Sequence, residues 1–137
     1  MPAGSGELAI VVADADVPID YLRGEGPTAD RIALELQHGL ATTVVTAFEL
    51  WAGAVGSAKR ERAVDTLLGA LTVIPLDAED ARCAASIRRD LERAGRSIGM
   101  ADSLIAGICV RHRAILITRN HAHFKRVPNL TLAGRIE

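Results

Sequence analysis

Residues 8–13 (LAIVVA) form an unbroken apolar run, rich in Val, Ile and Ala, that is cut off by Asp14. A strand with one wet face alternates polar and apolar side chains, so a run without alternation predicts a strand buried on both faces of a parallel sheet. Such a strand needs helices on either side, and the rest of the chain is patterned to supply them. Pro18 suits the first turn of a short helix through Leu22, Gly24, Gly26 and Pro27 break the chain, and residues 29–38 carry helical spacing. Residues 41–45 (ATTVV) predict a second strand, with helices over 46–55 and 59–71 behind it. A third strand over 72–76 leads into a long helix from Ala78 to about Ala94, closed by Gly95. Beyond Gly99 the spacing predicts a helix over Met100–His112, a fourth strand at 114–118 (AILIT) and a last short strand at 130–132.

Strands alternating with helices make this an α/β chain, with a mainly parallel central sheet flanked by helices on both faces. In such sheets ligands gather beyond the carboxyl ends of the strands. No repeat or linker divides the 137 residues, so one domain over residues 1–137 is expected, with residues 1–7 as a flexible end. That length suffices for a core without disulfides or structural metal. The longest apolar runs are too short to cross a bilayer, and residues 1–7 lack the features of an export signal, so a cytoplasmic protein with no membrane span is expected. Cys83 and Cys109 have no partner at zinc spacing and read as reduced core thiols. The net charge of −1 argues against wholesale electrostatic binding of nucleic acid, but the charges are uneven. Between Asp102 and Glu137 there is no acid, while Arg111, Arg113, Arg119, Lys125, Arg126 and Arg135 are joined there by His112, His121 and His123. A phosphate-holding face and an ordinary solvated basic face both fit that stretch.

Each polar residue able to carry chemistry also has a structural reading. Asp14, at the carboxyl edge of the first strand, fits a helix N-cap; Asp16 and Asp20 add charge nearby. Thr46 and Glu49 have the T-x-x-E spacing of a capping box, yet Glu49 shares a helical face with Ala52, Gly53 and Gly56, small residues that allow close approach. Phe48, Trp51, Ala52 and Val55 form a second, apolar face, on which Trp51 reads as core or dimer interface. Asp102 fits the first turn of its helix by the dipole alone, but Ile105 and Cys109 share its face, and a carboxylate on a buried face needs a partner. Asn120, just past the fourth strand, fits another N-cap. All four follow strand ends or open helices, so a parallel sheet can bring them to one crevice. Converging carboxylates repel unless a cation neutralises them, and Mg²⁺ takes a few carboxylates plus waters, a site suited to phosphodiester hydrolysis.

The stretches VVADADVPIDYLRG, TTVVTAFELWAGA, SIGMADSLIAGICV and ILITRNHAHF, in that order over most of the chain, resemble the PIN-domain signature, and especially the VapC toxins. The resemblance implies a PIN-like fold in which Asp14, Glu49 and Asp102 hold Mg²⁺ or Mn²⁺, the first and third most directly. In the last stretch the family often has an acid where this chain has Asn120 and His123, which subtracts negative charge. Thr118 offers a hydroxyl beside Asn120, and Arg119 fits either a phosphate contact or a plain surface charge. The resemblance further implies a metal-dependent endoribonuclease acting on structured RNA (tRNA or rRNA). It would be the toxin of a type II toxin–antitoxin pair, often homodimeric and silenced by a VapB-like antitoxin that enters the active-site groove. Two other readings stand beside it. One is a catalytically impaired PIN domain that binds RNA or protein. The other is a phosphatase of the haloacid dehalogenase type built on Asp14 and Asp16, against which Pro18 and the placing of Lys59 and Lys125 count.

Overall fold

The structure, a computed structural model, describes residues 9–18, 24, 30, 33, 35 and 38–134. The flexible end expected at residues 1–7, Asp20 and most of the two helices expected before residue 38 lie outside the described residues. Five strands, β1 (Val11–Ala13), β2 (Ala41–Thr43), β3 (Thr72–Ile74), β4 (Ile115–Ile117) and β5 (Thr131–Leu132), make one sheet in the order β3-β2-β1-β4-β5. Every neighbouring pair is parallel. Helices α1 (Val44–Ala54) and α2 (Ala58–Gly69) lie between β2 and β3 in sequence; α3 (Ala78–Arg93) and α4 (Met100–His112) lie between β3 and β4; and α5 (His121–Phe124) follows β4.

The central strand is covered on both faces, as its run of apolar residues predicts. Val12, Ala41, Ile74 and Leu116 point into a core filled by Ile87 and Leu91 of α3, Ile105, Ile108 and Cys109 of α4, and Phe124 of α5. Ala13 and Ile117 point the other way, against Val17 and Leu40. Leu50 of α1 and Val64 and Leu68 of α2 pack in a further cluster that reaches Val73. Each large side chain so buried contributes about 1.5–3 kcal/mol. Where α3 meets α4 the approach is closest at Gly107, where a Cβ would stand 2.8 Å from both Cβ and N of Ala84. Only glycine fits there without moving a backbone.

Element ends differ from expectation where side-chain hydrogen bonds decide them. The second strand stops at Thr43 rather than at residue 45, because the Thr43 hydroxyl accepts from the Thr46 N–H at 3.1 Å and caps α1 two residues early. The third strand ends at Ile74, since Pro75 follows and has no N–H for the ladder. The first strand starts at Val11, and Ile10 is exposed. The long helix and the Met100–His112 helix match their expected spans closely; Gly95, at φ 69°, closes the former.

Candidate active site

Asp14 stands just past β1, where the strand order reverses between β1 and β4. Its N–H donates to the Ile117 carbonyl at 3.0 Å, carrying the pairing one residue beyond the strand. Among the described residues the side chain makes two bonds: Oδ1 accepts from the adjoining Ala15 N–H at 2.7 Å, and Oδ2 accepts from the Thr118 hydroxyl at 2.8 Å. That second bond spans 104 residues of sequence and fastens the ends of the two strands together. Asp14 is buried, and burial is the main force pushing its carboxyl above the ordinary value of 3.8. The bonds from Thr118 and Ala15 pull it down, and the charges of Asp102 and Asp16 push it up again.

Asp102 occupies the first turn of α4, whose N-cap, Gly99, has no side chain to satisfy it. Ile105 and Cys109, on its face, are fully buried, so the carboxylate stands at the rim of the core, as the spacing predicts. Asn120 reaches this carboxylate: Nδ2 lies 3.4 Å from Asp102 Oδ2 and 2.9 Å from His123 Nδ1. Its expected capping role is not realised, for no side-chain bond caps α5. Instead its N–H donates to Thr118 Oγ1 at 2.9 Å, so one hydroxyl serves Asp14 as donor and Asn120 as acceptor. Phe124, fully buried, anchors α5 and thereby the position of Asn120 and His123. His123 Nδ1 also lies 3.5 Å from Asp102 Oδ2. Beyond its place in a basic stretch, His123 drew no site role from the sequence; the only trace was that it stands where the family's last motif often carries an acid.

Glu49 projects from α1 as an exposed residue. The capping box expected with Thr46 does not form, because Thr43 takes the cap and Thr46 becomes the buried third residue of the helix. Released from capping, Glu49 feels the cleft. Its carboxyl is raised first by partial desolvation and then by the charges of Asp14, Asp102 and Asp16. Gly53 opens the surface beside it, with nothing within 4 Å of where a Cβ would be, whereas Gly56 lies past the helix end and serves its termination at φ 91°. Trp51 is not core: it is 44% exposed, and its Nε1 donates to Asp65 Oδ1 at 2.9 Å. Arg119 is exposed on the loop beside Asn120.

Asp14, Glu49 and Asp102, from separate parts of the chain, thus meet in charge at the carboxyl edge of the sheet: the charge of Asp102 raises the carboxyls of Asp14 and Glu49, and that of Asp14 raises Glu49 further. Among the described residues no three His, Cys, Asp or Glu side chains close into a chelating cage. Around Asp14 and Asp102 stand the Thr118 hydroxyl, the Asn120 amide and the His123 imidazole.

A family model for the PIN domain matches residues 11–130. The chain belongs to the PIN domain family. Within it, the chain sides with the VapC group. It is 34% identical over 102 residues to ribonuclease VapC2 of Rickettsia felis, covering 72% of this chain and 76% of that protein. It is 32% identical over 108 residues to the tRNA(fMet)-specific endonuclease VapC of Shigella flexneri, covering 76% and 82%. Among solved structures it superimposes on VapBC2 of Rickettsia felis bound to a promoter DNA fragment with a TM-score of 0.80 and 27% identity, over 90% of this chain and 97% of that one. A PIN fold of VapC type gives Asp14 and Asp16 a setting different from the phosphatase reading. Among the described residues no helix is long and apolar enough to cross a membrane.

Proposed function

We propose that this protein is a Mg²⁺- or Mn²⁺-dependent endoribonuclease that cleaves structured RNA, tRNA or rRNA, in the cytoplasm, as the toxin partner of a VapB-like antitoxin. The observation that carries the reading is the meeting of Asp14, Glu49 and Asp102 at the strand-order reversal, where burial and the charge of Asp102 raise the carboxyls of Asp14 and Glu49. Such a cluster is costly to hold unless a cation joins it. The donor set suits a hard ion, because Mg²⁺ takes one or two carboxylates and keeps several waters, needing neither thiolate nor a closed cage.

Asp14 and Asp102 would hold the ion, Asp14 kept in place by Thr118 and Ala15. When bound, the cation makes water a nucleophile near neutral pH and offsets charge on the phosphate. Glu49, on the exposed side, positions the attacking water, and Asn120 orients that water or the scissile phosphate. The water oxygen forms a bond to phosphorus as the bond to the leaving ribose oxygen breaks; the water gives up a proton to solvent and the leaving oxygen takes one from solvent. Arg119 and the basic carboxyl-terminal stretch hold flanking phosphates, giving salt-sensitive affinity with little base discrimination. A homodimer is proposed on the apolar stripe of α1, where Val44, Phe48, Trp51 and Val55 are exposed at helical spacing.

The test is cleavage of total cellular RNA by purified wild type and Asp14→Ala, each with Mg²⁺, Mn²⁺ or EDTA. Discrete products that need both metal and Asp14 support the reading. Intact RNA in every lane, from folded protein free of antitoxin, overturns it in favour of an RNA- or protein-binding module.

A further inference from the structure

The contact between Asn120 and His123 sets the polarity of an amide, and that polarity bears on what Asn120 can do. Asn120 Nδ2 sits between two groups, Asp102 Oδ2 at 3.4 Å and His123 Nδ1 at 2.9 Å. An amide nitrogen only donates, so the closer contact makes His123 Nδ1 an acceptor and puts the imidazole proton on Nε2. With one amide hydrogen toward Asp102 and the other on His123, what Asn120 has left to offer a water, an ion or a phosphate-bound group is its carbonyl oxygen. In the reversed amide the carbonyl oxygen would stand 3.4 Å from a carboxylate oxygen, two acceptors facing one another. It would also require His123 Nδ1 to carry a proton.

We infer that His123 is a positioning residue that fixes the Asn120 amide against Asp102, so that an amide can present an oxygen where the family's motif often carries an acid. This rests on the nuclease reading for its consequence, though not for its geometry. His123 acts through Asn120 and need not touch the RNA. The side chain is 46% exposed and α5 is anchored by Phe124, so replacing the imidazole leaves the fold in place.

Two measurements test it. Long-range ¹⁵N NMR of the full chain, without metal and at mildly alkaline pH, should show His123 as the Nε2–H tautomer. The Asn120 side-chain amide protons should be slowed in exchange, and that protection should vanish in His123→Ala. A neutral Nδ1–H tautomer, or an amide unaffected by the substitution, overturns the inference. In cleavage with Mn²⁺, His123→Ala should lower kcat about tenfold, the scale of losing an outer partner, with KM for RNA nearly unchanged. His123→Asn, which keeps an acceptor, should recover most of it. In an Asn120→Ala background His123→Ala should have no further effect, because the two act as one unit. Additive losses, or no rescue by Asn, overturn the positioning role. If the wild type leaves RNA intact, the nuclease reading falls, while the tautomer and exchange results still decide the hydrogen bond.

Discussion

At the His112 end of α4, Asp77 and Asp80 meet Arg111: its Nη1 lies 2.9 Å from Asp80 Oδ1 and 3.3 Å from Asp77 Oδ1. The two acids also cap α3 reciprocally, through 2.7 Å and 3.1 Å bonds between side chains and backbone N–H groups. At the other end of the same helix, about 13 Å away along its axis, Asp102 faces Asp14 and Glu49. The carboxyl of Asp77 is pulled below its ordinary value, chiefly by the Asp80 N–H and with help from Arg111. Those of Asp14 and Glu49 are pushed above theirs. Where acids serve the fold, the chain supplies the cation and the N–H donors. Where they converge beyond the strands, burial and like charge go against Asp14 and Glu49, and the cation proposed for the site would relieve them.

The largest effect that sharpens this contrast is expected from paired substitutions. Asp14→Asn or Asp102→Asn should cut RNA cleavage by more than about a hundredfold, beyond what outer partners cost, while Asp14→Asn melts higher than wild type at neutral pH. Asp80→Asn should cleave normally and melt lower, losing a buried acid of the capping box. Thermal melts alongside cleavage kinetics check both, and an Asp14→Asn protein that melts lower breaks the comparison.

The pH dependence should have opposite signs at the two ends. Asp14 binds its proton more tightly folded than unfolded, so its ionisation costs stability as pH rises from the ordinary 3.8 through the raised value. Asp77 is the reverse: its contribution is present above 3.8 and is lost as pH falls below it. Melting temperature against pH should therefore fall less on the neutral side in Asp14→Asn and less on the acid side in Asp77→Asn. Adding Mg²⁺ or Mn²⁺ should raise the melting temperature of the wild type and leave that of Asp14→Asn unmoved, because the ion relieves a repulsion the variant no longer has.

Gly107→Ala tests the helix that joins the two ends. With Ala84 backbone 2.8 Å from the new methyl, α3 and α4 must separate, at a cost of about 1–3 kcal/mol by denaturant unfolding and with reduced cleavage as Asp102 shifts. The smallest effect is expected at Cys109, whose thiol is pushed up to about 12, first by burial and then by Asp14. It should resist thiol reagents in the native state and react only as the protein opens, whereas half-buried Cys83 reacts sooner. Mass-resolved labelling distinguishes them.

Much of the fold was legible because burial writes itself into local pattern. LAIVVA and AILIT announce strands covered on both faces, and the spacing of residues 100–112 announces their helix. The site was legible in part: Asp14 follows β1, Asp102 lies in the first turn of α4 and Glu49 lies on the helix after β2, and the structure brings their charges together. Three local accounts of these residues fail for one reason, competition with partners distant in sequence or one turn away. Thr43 takes the cap from Thr46, Thr118 takes Asp14, and Asp102 with His123 takes Asn120.

The sequence by itself determined the described strands and the helices other than α5, that the sheet would be mainly parallel, and that Asp14 and Asp102 would stand at a strand end and a helix start, because each follows from periodicity and from the chemistry of neighbours within a turn or two. The tertiary structure alone decided that β4 lies beside β1, so that Thr118 bonds Asp14 across 104 residues, and that Asn120 reaches Asp102 across 18. Those choices depend on packing between segments far apart in sequence. No local spacing records them.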